Sequence, residues 1–162
     1  MFSIRLVAAT AALALAFPAF AADDMVKSID VQTELTALTN VEAAKRFATF
    51  DADLEAAITA RLVDRIAEKG VDILIDISEV ELSNSLTEKL NLAETRLVGD
   101  VKITDEEDNS NFDAYQLTVD VNTATPFFPA GTDVTVLPMD SDAYYDAMIA
   151  AFADTVAQKL EK

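Results

Sequence analysis

In three runs after Gly70 most large apolar residues fall on odd positions. Val71, Ile73, Ile75 and Ile77 do so, then Leu97, Val101 and Ile103, then Tyr115, Leu117, Val119 and Val121. A strand turns successive side chains to opposite faces, so a period of two over separate runs dictates strands with one apolar face. Two other runs have a helical period. Phe47, Phe50, Leu54, Ile58, Leu62 and Ile66 recur every three or four residues, as do Tyr145, Met148, Ile149, Phe152, Val156 and Leu160. The chain therefore holds one-sided strands and two one-sided helices, and each needs the other to cover its apolar side.

In detail, a first strand is expected in 25–38, where Val26, Ile29, Val31 and Leu35 mark it. Thr39 and Glu42 have capping-box spacing, and the first helix is expected over Asp53–Glu68, with Gly70 as its C′ residue. In the second strand the odd set gives way to Val80 and Leu82, so a bulge or break is expected near Ser78 and Glu79. Residues 83–95 fit a short helix capped by Ser85 and Glu88, or a loop. A three-residue loop, Asn109-Ser110-Asn111, pairs Val101 with Val119 and Ile103 with Leu117, and Asn111 tolerates the left-handed position such loops need. Residues 122–133 read as a loop, Val134–Leu137 as a short edge strand ended by Pro138, and the last helix as capped by Asp140 or Ser141. The expected fold is α+β: an antiparallel sheet of about four strands with two amphipathic helices on one face, in the order β-α-β-β-β-(β)-α.

The N-terminus carries a different message. Arg5 precedes an apolar run of 12 residues, Leu6–Phe17, then Pro18 and the small-residue pair Ala19 and Ala21. Twelve residues of helix span about 18 Å, short of a bilayer core of about 30 Å. This is the pattern of a secretory signal peptide cut after Ala21, which leaves one domain over 22–162 and a periplasmic location. The chain has no cysteine, so neither a lipid anchor at that site nor a disulfide is expected. No membrane anchor is expected after cleavage.

The formal net charge is −17, and losing Arg5 makes it one unit more negative. Such a charge repels nucleic acid and anionic lipid, and favours a basic partner, cations, or simply solubility in salt. Absent residue types narrow the chemistry further. Without histidine or cysteine there is no Ser-His-Asp or Cys-His machinery and no ordinary zinc site. Three glycines, at 70, 99 and 131, build no phosphate-binding loop. No cofactor is expected. What survives is carboxylate chemistry: a hydrolytic acid pair, or hard-cation binding.

The densest acidic stretch is DEEDNSNFD, residues 105–113. Set on an EF-hand loop from Asp105, it places Glu107 third and Asp113 ninth, but Ser110 stands where Gly is required and Gln116 where a bidentate Glu is required. It reads as a hairpin tip, with Asp105, Glu107, Asp108 and Asp113 as the metal candidates. Three aromatic residues are partner candidates. Phe127 and Phe128 lie between prolines, where either one faces a partner or both fold over a sheet edge or helix end. Tyr144 lies about 100° around the helix from the apolar stripe.

The segments DLEAAITARLVDRIAEKGVDILIDISEVELSN and LVGDVKITDEEDNSNFDAYQLTVDV, with the closing helix, resemble small α/β envelope domains of Gram-negative bacteria. These are periplasmic proteins and lipoproteins similar to the N-terminal domain of TolB and to curli-secretion-type lipoproteins. The chain departs from them in lacking the lipidation cysteine and the glycine of the turn. The resemblance implies envelope assembly or binding of another envelope protein, and carries over no functional residue. The reading is a non-enzymatic exported module; the alternatives are a divalent-cation-binding protein and a small carboxylate-dependent hydrolase.

Overall fold

The computed structural model describes residues 25–33, 49–81, 95–108, 112–138 and 141–161. The leader, the expected cap at Thr39 and Glu42, Leu35, Phe47 and residues 83–94 lie outside them.

Four strands form one sheet in the order β1-β2-β3-β4. They are β1 (Val26–Thr33), β2 (Val71–Glu81), β3 (Arg96–Thr104) and β4 (Phe112–Asp120). The α+β class holds, with one difference: β1 and β2 run parallel, Val26 opposite Val71 and Thr33 opposite Ile77. The cause is the intervening helix α1 (Phe50–Arg61). A strand-helix-strand unit returns the chain to the end of the sheet where it began, so its two strands align in the same sense.

Helix α1 starts with Asp51 and Asp53 in its first turn and ends with Arg61 in its last, matching the helix dipole. It buries Phe50, Leu54 and Ile58. It stops at Arg61, short of the expected Glu68. After a 3-10 turn at Val63–Arg65 the backbone turns to β1 for its partners. The Ala67 N–H donates to the Val26 carbonyl at 2.9 Å and the Val71 N–H to Met25 at 2.8 Å. Sheet bonds displace the last helical turn, leaving Val63 64 % exposed. Gly70 is therefore no helix cap. Its φ is +144°, and a Cβ there would collide with the Met25 carbonyl, so glycine admits this close approach.

The bulge appears where the parity changes, between Ile77 and Glu79, after which Val80 pairs with Leu97 and packs on the core. The β3–β4 hairpin keeps the expected parity and shifts by four positions. Val101 faces Tyr115, Ile103 faces Asp113, and Thr104 faces Phe112, the last pair of the ladder. The reason is Asp105, whose carboxylate accepts from the backbone N–H groups of Glu107 at 2.8 Å and Asp108 at 3.2 Å. This local turn ends the ladder before a tight loop can form.

Beyond β4 the chain coils rather than looping freely. Asp120 caps helix α2 (Val121–Ala124), accepting from the Thr123 N–H at 2.8 Å and its hydroxyl at 2.9 Å. A 3-10 turn follows at Thr125–Phe127. The expected strand at Val134–Leu137 is a turn. Asp133 binds the Thr135 N–H and hydroxyl at 3.0 and 2.6 Å, and Val136 stands out in solvent.

Helix α3 (Asp142–Lys159) is the main cover. Met148, Phe152 and Val156 are buried as expected, and Ala147, Ala151, Ala153 and Ala157 widen the buried face. Phe152 packs over Gly99, where a Cβ would lie 3.0 Å from Phe152 Cζ and 2.8 Å from Ile77 Cδ1. Both helices lie on the face bearing Ile73, Ile75, Ile77, Leu97, Val101, Ile103 and Val119. They touch each other through Phe50 and Tyr145, ring centroids 6.0 Å apart and edge-on. None of the helices in the described residues is long and apolar enough to cross a membrane.

Candidate functional site

The acidic tip is held by lysines. Lys27 Nζ lies 2.8 Å from Glu106 and 3.4 Å from Asp72, and Lys69 Nζ lies 2.6 Å from Glu107. The hydrogen bond Lys27 donates to Glu106 raises the Lys27 pKa, and the one Lys69 donates to Glu107 raises that of Lys69. Asp105 is the turn-maker described above. Asp113 sits apart in β4, opposite Ile103, where it accepts from the Ala114 N–H at 2.9 Å. The four metal candidates thus divide between tip and strand. No group of three or more acids suited to a metal occurs among the described residues. The EF-hand positions 109–111 lie outside the described residues.

The aromatic candidates are mostly interior. Tyr144, a partner candidate off the apolar stripe, is 1 % exposed, and Phe128 is 9 % exposed. Their rings meet edge-on at 4.8 Å, and the Tyr144 hydroxyl donates to the Val134 carbonyl at 2.8 Å. The contact that closes the 128–138 turn onto α3 therefore takes both residues out of reach of a partner. Phe127 is half-buried against the core. Tyr145, expected in the buried stripe, is the outer tyrosine. Its hydroxyl donates to Asp53 Oδ2 at 2.8 Å, joining α3 to α1. Burial first, then this hydrogen bond, drives its pKa upward.

A concave surface lies on the sheet face the helices leave open. A trough of about 390 Å³ runs across all four strands, lined by Gln32, Leu74, Asp76, Asp100, Lys102 and Gln116 among others. The ladders order these side chains into rows. Gln32 faces Asp76, Asp76 faces Asp100, and Asp100 faces Gln116, so one row reads Gln-Asp-Asp-Gln. The next reads Asp30, Leu74, Lys102, Ala114. Gln116 donates to Asp100 at 3.2 Å, and Gln32 donates to Asp30 at 2.8 Å. Like charges directly opposed across a ladder are destabilising, so Asp76 facing Asp100 is poor design for stability alone. Sequence analysis did not find the row. Its only trace is the even position shared by Gln32, Asp76, Asp100 and Gln116, and that becomes legible only once the registers are known.

No protein-family model matches the chain, and no curated protein does. Among solved structures it is similar to the PelC dodecamer from Paraburkholderia phytofirmans, at 14 % identity and TM-score 0.40 over 82 % of this chain and 88 % of that one. A minor lipoprotein from Acinetobacter baumannii matches at 16 % identity and TM-score 0.38, over 83 % and 90 % of the two chains. A protein of the DUF330 family from Xanthomonas campestris matches at 14 % identity and TM-score 0.40, over 85 % and 80 %. None of these three is TolB or a curli-secretion protein. The likeness is one of general layout and says nothing of ligand or partner.

Proposed function

We propose that this chain is an exported, non-enzymatic binding or envelope-assembly module that engages its partner through the open face of its sheet. Export rests on the leader read in residues 1–21, which implies a periplasmic setting. The observation that carries the binding role is the Gln32–Asp76–Asp100–Gln116 row inside the trough. Two aspartates held opposite each other offer a fixed pair of acceptors to a cationic group, flanked by the amides of two glutamines. The net charge of −17 steers basic partners toward the molecule.

The test is a double change, Asp76→Asn with Asp100→Asn. It removes a like-charge opposition on an exposed face, so the protein folds at least as stably while losing the partner captured from a periplasmic extract. Capture that survives the change overturns the reading. The divalent-cation alternative fares worse, because Lys27 and Lys69 already neutralise two of the acids at the tip. Calorimetry with calcium is expected to show no binding tighter than about 10⁻⁴ M. Tighter binding abolished by Asp105→Asn with Asp108→Asn would reinstate that alternative.

A further inference from the structure

Among the described residues β1 and β4 are the two edges of the sheet, and only β1 carries devices that protect an edge. An exposed edge is a template for another strand, and proteins blunt it with charges, lysine, proline or bulges. Strand β1 has three such devices: an irregularity between Val26 and Ser28, Lys27 on the strand, and Asp30 near its centre. Strand β4 has none of these in its middle. Its nine residues stay in unbroken register with β3. Its charges, Asp113 and Asp120, lie toward its ends, and Ala114–Val119 carries no charge, no proline and no glycine. Among the described residues nothing pairs with its outer side. Phe112 at its start is 61 % exposed, and Tyr115 and Leu117 are half-buried on the helix side.

The geometry points to β4 as a self-pairing edge: two copies of this chain join antiparallel along it, about a two-fold axis at Gln116. The sequence is self-complementary about that residue. Tyr115 of one copy falls opposite Leu117 of the other, and Leu117 opposite Tyr115, so each half-exposed apolar group covers its counterpart. Ala114 meets Thr118 on the trough side. A foreign basic segment would be drawn to the acidic row instead, whereas an equally acidic second copy finds in β4 an uncharged seam. Joining the edges makes one eight-stranded sheet and sets the two troughs side by side, with both Gln116 residues at the junction. This inference rests on β4 alone and stands whether or not the trough binds a partner.

A seam of about five residues per copy is smaller than a standard interface, so the dimer is weak. It also joins two strongly acidic bodies, and salt must strengthen it. Sedimentation velocity on the mature chain, from about 1 μM to about 1 mM, is expected to show monomer passing to dimer, with the midpoint moving lower in added salt. Gln116 is exposed but donates to Asp100, so within one chain Gln116→Glu sets a like charge across the β3–β4 ladder and Gln116→Lys an opposite one; circular dichroism checks that both variants fold. Each variant alone sets two like charges face to face on the axis and weakens the dimer about tenfold. An equimolar mixture of the two sets opposite charges there and restores it. A wild-type chain monomeric throughout, a dimer indifferent to both changes, or a mixture no tighter than either variant alone would overturn the inference.

Discussion

Strands β2 and β4 have the same alternating pattern and fare differently. Ile73, Ile75 and Ile77 of β2 are sealed, with β1 and β3 on either side and the apolar core over them. In β4 only Val119 is sealed; Tyr115 and Leu117 keep part of their surface in water. Alternation fixes which face a side chain takes. How deep it lies is set by neighbours the pattern does not encode, above all a strand on each side, which β2 has and β4 lacks. At Tyr115 the overhead cover is the Lys159 ammonium, 4.9 Å from the ring centre. The phenol is pushed up to about 12, chiefly by burial and secondarily by Asp113.

The largest effect that tests this contrast is a truncation in each strand. Ile75→Ala is expected to cost about 3 kcal/mol in denaturant unfolding, the usual scale for a sealed aliphatic residue, and Leu117→Ala only about 1 kcal/mol. Equal costs would mean that β4 is as well covered as β2. A smaller loss is expected from overpacking at Gly99, under Phe152 of α3. Gly99→Ala brings a methyl against Ile77 and Phe152 and should cost about 1–2 kcal/mol. A neutral result would show that α3 rides higher over β3 than the contact implies.

Next in size is an alkaline weakness. Both Tyr115 and Tyr145 ionise at higher pH in the folded chain than in the unfolded one. Below a pH of about 10 the phenols are protonated in both states and stability is flat. Above it the unfolded chain ionises first, so stability falls as pH rises toward 12. Tyr115→Phe and Tyr145→Phe should each flatten part of that fall, and a profile unchanged in both variants would contradict the burial described. The smallest effect belongs to the tip. Lys27→Ala and Lys69→Ala remove exposed ion pairs and should leave the denaturation midpoint where it was.

Much of this architecture was legible in the sequence because burial imposes periodicity. The odd positions of β2, β3 and β4, the bulge after Ile77 and the two helical stripes all follow from side chains sharing one interior. What escaped were contests between local and distant hydrogen bonds. The helical pattern through Ile66 gave way to sheet bonds with Met25 and Val26. The tight hairpin gave way to the Asp105 turn, and the Val134–Leu137 strand to the Asp133 turn. Tyr144 and Tyr145 exchanged places because the first closes on Val134 and the second on Asp53. The trough row was hidden for another reason: it exists only across strands, and a register shifted by four positions moves Asp100 away from Gln116.

Amide hydrogen exchange along β4 tests the open edge most directly. At low protein concentration the amides of 114–118 that point away from β3 should exchange at least about a hundredfold faster than those of Ile73 and Ile75. They should slow as concentration rises, while β2 does not change. Slow exchange at every one of those positions in dilute solution would mean that the edge is already covered, and would contradict the account.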